Sequence, residues 1–238
     1  MRLDRYLSEC LQIPRSRSRA LLAAGRVCVD GRVCTAADRQ LAPGEAVTAD
    51  GAPLAHSRCV YLMLNKPAGV VSASRDAHDT TVVDLVQGAY PRRSLFPAGR
   101  LDKASTGFVL LTDDGAFAHA LLAPRRHVPK TYRVTLDTPL TPEMCAGFAA
   151  GVTLADGERM APAECSALTP DARTVRVVLH QGVYHQIKRM FGVYGAGVDA
   201  LHREAIGGLP LDPALAPGAF RALTEAEVRA VGVQEICE

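Results

Sequence analysis

"GRLDKASTGFVLLTDDG", residues 99–115, places a polar, turn-forming stretch directly before an apolar run. "FVLLT" has the length and the aliphatic, β-branched content of a buried strand, bounded by Gly107 on one side and Asp113-Asp114-Gly115 on the other. Asp102 then lies in a strand-adjacent turn, with Arg100, Lys103 and Ser105 around it. The residues alone leave two roles open. An aspartate in such a turn caps the loop by accepting backbone N–H groups, or it serves a reaction as a carboxylate base or nucleophile. Ser105 imitates a nucleophile, but no G-x-S-x-G elbow surrounds it, and capping the following element is its expected job. Asp113 and Asp114 read as turn and N-cap residues; adjacent strand positions face opposite sides, which argues against a shared metal.

Upstream, "CVYLMLNKPAGVVSA" is a second apolar strand, from which Lys66-Pro67-Ala68-Gly69 forces a turn. Downstream, strands are expected in "KTYRVTLD", "AECSALT" and "RTVRVVLHQG", and helices in "GAFAHALLAP", "TPEMCAGFAAG", "YHQIKRMFGVYG" and "TEAEVRAVGV". Several of these strands follow one another through short loops. The expected class is therefore α+β, with a mixed, largely antiparallel sheet flanked by helices. The front of the chain has a different pattern. "LDRYLSECL" puts Leu3, Leu7, Cys10 and Leu11 on one helical face, and "SRSRALLAAGR" does the same with Ala20, Leu21 and Ala24 before Gly25. "VCVDGRVC" is a hairpin around Asp30-Gly31, and "EAVTAD", closed by Gly51, is a third strand. A boundary in "GAPLAHSRC" divides the chain into a small α/β domain, residues 1–57, and a larger domain, residues 58–238.

With 238 residues, 48% hydrophobic and 22% charged, the chain can fill two cores. No apolar stretch approaches the roughly 20 residues of a membrane span, and "MRLDRYLSEC" lacks the apolar core of a signal peptide. A cytoplasmic protein with no membrane partner is expected. Seven dispersed cysteines without C-x-x-C spacing indicate neither a disulfide framework nor a zinc site, and read as reduced and mostly buried. "GAGVDA" lacks the third glycine of a dinucleotide loop, no P-loop is present, and no histidine pair forms H-E-x-x-H. His180 and His185 read as core or hydrogen-bonding groups, so no metal is expected. The net charge of +2 is unevenly spread: residues 1–60 hold nine Arg against six acids, while the remainder holds 18 basic and 19 acidic residues. Arginine at every cationic position of the front suits bidentate phosphate contacts, although a GC-rich genome produces the same bias.

"LLAAGRVCVDGRV", residues 21–33, resembles the S4-like RNA-binding module. The resemblance implies that Arg15, Arg17, Arg19 and Arg26, on or beside the second helix, face RNA phosphates; without it, the same cluster reads as a solvated helix face. "GRLDKASTGFVLLTDDG", taken with "KPAG", "KTYRV", "GVYHQIKRMF" and the tail "LHREAIGGLPLDPALAPGAFRALTEAE", resembles the RsuA-type pseudouridine synthases over essentially the whole chain. Such enzymes isomerise uridine within RNA. The C1′–N1 bond breaks, uracil rotates while held, and C5 bonds to C1′ before losing its proton.

The resemblance implies Asp102 as the essential carboxylate, attacking C1′ or taking a proton from C2′. It implies Tyr132 stacked on the extruded uracil, Lys188 paired with Asp102, and Ile187 packed against the base. Arg100 would enter the space left by the flipped nucleotide or touch phosphate, and Lys66 and Lys130, from "KPAG" and "KTYRV", join the substrate contacts. Each also has a plainer reading: Tyr132 as a strand tyrosine, Lys188 as a surface cation beside Arg189. No cofactor is implied. "APRRHVPKTYRV" and the tail resemble the small-subunit branch, which implies a monomer acting on bacterial 16S rRNA, or on a small-subunit assembly intermediate, at a uridine of the 516 type. A 23S rRNA synthase and a non-catalytic rRNA-binding assembly factor are the alternatives.

Overall fold

The computed structural model describes residues 1–54, 59–123, 126 and 128–233. The chain divides into two compact units, Met1–Arg58 with Gln87–Ser94, and Cys59–Val86 with Leu95–Glu238. The boundary expected after residue 57 falls within residues 55–58, outside the described residues, as does Cys237.

The first unit opens with helices α1 (Leu3–Cys10) and α2 (Arg15–Ala23), followed by strands β1 (Val27–Val29), β2 (Arg32–Val33), β3 (Val47–Ala49) and β4 (Ala52–Leu54). The strands pair antiparallel in the order β2-β1-β3-β4. Two hairpins turn through left-handed residue pairs, Asp30-Gly31 (φ 49° and 76°) and Asp50-Gly51 (φ 52° and 79°), the geometry that matches the natural strand twist in a two-residue loop. Leu3, Leu7, Leu22, Val27, Val29 and Val47 fill the core between helices and sheet. The buried face of α2 differs from the expected Ala20, Leu21 and Ala24: Ser18 and Leu22, one turn apart, are buried, while Ala20 and Ala24 are exposed. Alanine is small enough for either face, so Leu22, fully buried, with Leu21 packed part-buried against the same cluster, decides the rotation of the helix. Asp4 of α1 is also buried, and it accepts hydrogen bonds from Arg2 (3.2 Å) and Arg19 (3.3 Å), which hold its carboxyl below the usual range.

The second unit contains β5 (Tyr61–Lys66), α3 (Asp84–Gln87), β6 (Phe96–Pro97), β7 (Thr106–Thr112), α4 (Gly115–Leu122), β8 (Lys130–Leu136) and α5 (Pro142–Ala150). These are followed by β9 (Glu164–Ala167), β10 (Thr174–Leu179), α6 (Gln186–Gly192), β11 (Val198–Ile206), β12 (Leu209–Pro210), β13 (Phe220–Ala222) and α7 (Glu225–Ala230). Nine of the described strands form one sheet with the path β13-β5-β7-β11-β8-β10-β9; β12 adds to β11 and β6 to β7. Every pairing is antiparallel except β7 with β11, so the α+β class and the mixed, largely antiparallel sheet hold. Helix starts follow local chemistry. Asp114 accepts from the Phe117 N–H, Thr141 from Met144, and Thr224 forms a reciprocal capping box with Glu227. α4 buries Phe117 and Leu121 against Phe108 and Leu110 of β7, and Phe148 of α5 meets Phe191 of α6 with ring centroids 4.6 Å apart.

Three expectations are corrected. β11 was not expected as a strand, yet it lies in the middle of the sheet. α6 begins at Gln186, because His185 before it adopts a left-handed conformation (φ 50°). None of the six described cysteines forms a disulfide, and among them Cys34 alone is buried; Cys28 points away from the core on the other face of β1, and Cys165 lies on the edge strand β9. No helix among the described residues is long and apolar enough to cross a membrane.

The parallel seam is narrow. Its register pairs Arg203 with Gly107, whose φ is 101°, and a Cβ added at Gly107 would stand 2.4 Å from the Arg203 carbonyl oxygen. At Gly195, also left-handed (φ 71°), a Cβ would meet nothing within 4 Å. Gly195→Ala is therefore expected to cost about 1–2 kcal/mol from backbone strain alone. Gly107→Ala, which also forces β7 and β11 apart, is expected to cost at least about 3 kcal/mol, read from urea midpoints of the two variants.

Candidate active site

Asp102 sits in the turn between Leu101 and β7, and its own carbonyl accepts from the Ser105 N–H at 3.0 Å. The turn is held from several sides. Ser72 and Leu101 bond reciprocally, Oγ donating to the Leu101 carbonyl at 2.9 Å and the Leu101 N–H donating back at 3.0 Å. Gly69 N–H donates to the Lys103 carbonyl at 2.8 Å. Lys66, 0% exposed, donates its three ammonium protons to the carbonyls of Pro67 (3.0 Å), Lys103 (3.1 Å) and Ser105 (2.6 Å). From the other flank, Arg203 of β11 donates Nε to the Phe108 carbonyl at 2.6 Å and Nη1 to the Arg100 carbonyl at 3.4 Å.

These contacts correct two expectations. Lys66 is buried rather than exposed for a substrate contact, with all three of its donors engaged inside the loop. Ser105 does not cap an element: it is buried, its carbonyl accepts from Lys66, and its Oγ has no partner among the described residues.

The Asp102 carboxylate is half-buried, with Oδ1 3.4 Å from His185 Nε2 and Oδ2 3.9 Å from Lys188 Nζ. His185, the left-handed residue just before α6, and Lys188, in the first turn of α6, converge on the carboxylate from the same end of the helix. The expected partner Lys188 is in place. The sequence pattern assigns His185 a core or hydrogen-bonding role; its place beside Asp102 comes from the left-handed turn that precedes α6.

A cleft of about 1060 Å³ opens beside the carboxylate, lined among others by Arg100, Lys130, Tyr132, Ile187 and Lys188. Tyr132, 8% exposed, and Ile187, 3% exposed, form its deep part, whereas Arg100 is exposed. Strand periodicity accounts for the floor. Lys130 and Tyr132 alternate onto one face of β8, and Arg203 is the direct cross-strand partner of Tyr132. Arg203 was missed because β11 was missed. A second hollow of about 520 Å³, near Cys145 and Cys165, contains none of the expected site residues.

Electrostatically, the cleft has more cation than anion. Burial pushes Lys66 down to about 8, Asp102 opposes the shift, and Arg203 adds to it. Burial likewise pushes Lys130 down to about 8, again with Arg203 contributing. Among the described residues no cluster of three His, Cys, Asp or Glu could hold a metal ion. What the site offers is a carboxylate between two nitrogen donors, an aromatic floor and unspent positive charge.

A family model described as RNA pseudouridylate synthase matches residues 60–192, the segment that carries Asp102, Tyr132 and Lys188. The chain belongs to the RNA pseudouridylate synthase family. It is an isomerase of that class, and an S4 domain model matches residues 1–47. The chain is 42% identical over 234 residues to the ribosomal small subunit pseudouridine synthase A of Salmonella typhimurium, covering 98% of this chain and 100% of that one. It is 41% identical over 231 residues to an uncharacterized RNA pseudouridine synthase of Bacillus subtilis, covering 96% and 97% of the two chains. A crystal structure of a pseudouridylate synthase superposes with a TM-score of 0.68 at 33% identity, covering 97% of this chain and 99% of that chain.

The lysine at the cleft floor has a thermodynamic signature. Its folded pKa of about 8 lies below the ordinary 10.5, so between those values the native state binds fewer protons than the unfolded state, and stability rises with pH. Below about pH 8 the desolvation cost is present in full. Lys130→Met removes that cost. Its stability relative to wild type is expected to be higher at pH 7 than at pH 10, measured as the difference in urea midpoints at the two values.

Proposed function

We propose that this enzyme isomerises one uridine of bacterial 16S rRNA to pseudouridine, at a site of the uridine-516 type, as a cytoplasmic monomer without a cofactor. The observation that carries the reading is Asp102, held between His185 and Lys188 at the edge of a cleft floored by Tyr132. The near full-length likeness to a small-subunit enzyme supports the choice of rRNA. In this reading the extruded uracil stacks on Tyr132 and packs against Ile187, while Lys130 contacts it from the same strand face. The Asp102 carboxylate attacks C1′ or removes the C2′ proton, and Lys188 stabilises its charge. Arg100, exposed at the cleft, enters the vacated space in the RNA or holds a phosphate.

Residues 1–57 form the RNA-binding domain and residues 58–238 the catalytic domain. Arg15 and Arg17 are exposed and enter no ion pair among the described residues, so both are available to phosphates. Arg19 is shared with Asp4, and Arg26 with Asp50 through two bonds of 2.6 Å, which orients these guanidinium groups while leaving them exposed.

Carbodiimide treatment and reverse-transcription mapping of rRNA from a deletion strain is the primary test. One pseudouridine stop in 16S rRNA should vanish, and return with the wild-type gene but not with Asp102→Asn. An unchanged 16S pattern would reject the reading; a stop lost from 23S rRNA would replace its target. In single-turnover assays, Lys188→Met is expected to slow conversion several-fold. A partly exposed pair at 3.9 Å is worth about 1 kcal/mol.

For the front domain, the double variant Arg15→Gln/Arg17→Gln should weaken binding to 16S rRNA and reduce the slope of log affinity against log salt by about 1–2. An unchanged slope would remove both arginines from the RNA contact.

A further inference from the structure

Tyr184 is 72% exposed, yet its ring is fixed: it stacks on the His185 imidazole with centroids 3.8 Å apart and planes 17° from parallel. His185 in turn reaches Asp102 at 3.4 Å, and Tyr184 lines the same cleft as the carboxylate. The left-handed backbone at His185 makes the two rings adjacent, since neighbouring residues in extended backbone would point them apart. The cleft rim thus presents a rigid aromatic plane with one face on His185 and much of its surface in water. An exposed tyrosine held in this way is built to be covered by another flat apolar surface.

Resting on the reading of the site given above, the reaction supplies such a surface. Extruding one uridine leaves the nucleotides on either side without a stacking partner. An aromatic side chain beside the extrusion point can replace that partner for any base, because every base has a π-face. We propose that Tyr184 stacks on the base of a nucleotide immediately flanking the target uridine and, through His185, ties the seating of the RNA to the position of Asp102. Tyr132, deep in the cleft, serves the extruded base; Tyr184, at the rim, serves its neighbour. The two tyrosines divide recognition between a pocket that selects the target and a platform that tolerates sequence around it.

The test compares binding of synthetic RNA fragments spanning the mapped uridine, intact or with an abasic ribose immediately 5′ or 3′ of it. All measurements use full-length protein in an Asp102→Asn background, so that conversion does not compete. Tyr184→Ala should weaken binding of intact RNA by between about five- and a hundredfold. On the RNA that lacks the stacked base, the same variant and its parent should bind alike. Tyr184→Phe should bind intact RNA like the parent, because the ring and not the hydroxyl makes the contact. Equal binding of intact RNA by Tyr184→Ala and the parent, or an equal loss on all three RNAs, would overturn the inference; the second pattern marks a local structural defect. A separate control reads conversion of intact RNA by wild-type enzyme. Absence of conversion there, whatever the binding, would overturn the reading of the site and this inference with it.

Discussion

The Lys66 ammonium has no carboxylate in hydrogen-bond contact among the described residues, and a buried charge left unsolvated is among the costliest features a fold can contain. Three backbone carbonyls replace its water shell, two of them on the Asp102 turn. The turn after β5 and the turn before β7 therefore act as one body: moving either one strips a donor from a buried acceptor or an acceptor from a buried cation. The reciprocal Ser72–Leu101 bonds and the Gly69–Lys103 bond tie the same two segments again. Asp102 needs no rigidity of its own, because its backbone is the shared edge of these attachments. The Asp102 carboxylate is thus positioned chiefly by main-chain chemistry, which leaves its side chain free for His185 and Lys188.

A second constraint sets where the floor of the cleft lies. Gly107 lets the β7 backbone approach β11 closely, and only that approach brings the Arg203 guanidinium within reach of the Phe108 and Arg100 carbonyls. Arg203 is 3% exposed, with Nη2 unpartnered among the described residues, and it stands directly across from Tyr132. It braces the turn and also carries positive charge into the floor, where its field reaches Lys66 and Lys130. One side chain links the backbone that orients Asp102 with the floor of the cleft.

Much of this was legible from pattern. Apolar runs marked β5 and β7, Asp-Gly dipeptides marked the first hairpin, and Asp114 announced α4 by its position before an apolar helix. Asp102, Tyr132 and Lys188 are singled out by likeness to a family; by residue type alone, each has an ordinary structural reading. β11 was illegible for a physical reason. "VDALHREAI" carries Asp199, His202, Arg203 and Glu204, and its pairing with β8 contains two register shifts, so no period of two survives. A strand that places a buried arginine beneath a polar cleft necessarily looks polar. The role of Lys66 was hidden in the same way, because a lysine that solvates carbonyls and one that binds substrate share one letter.

The long reach of the sheet pairings has a bearing on synthesis. β1 pairs with β2 and β3 within 24 positions, so the helix–hairpin unit at the amino terminus can close its core early on a growing chain. The other sheet cannot. Its central partner for β7 is β11, and Asn65 awaits the Leu215 carbonyl 150 positions further along. Until those last strands leave the ribosomal tunnel, the Asp102 turn lacks its Arg203 brace and the cleft lacks half its floor. The nascent chain therefore acquires its S4 module well before it acquires catalytic competence.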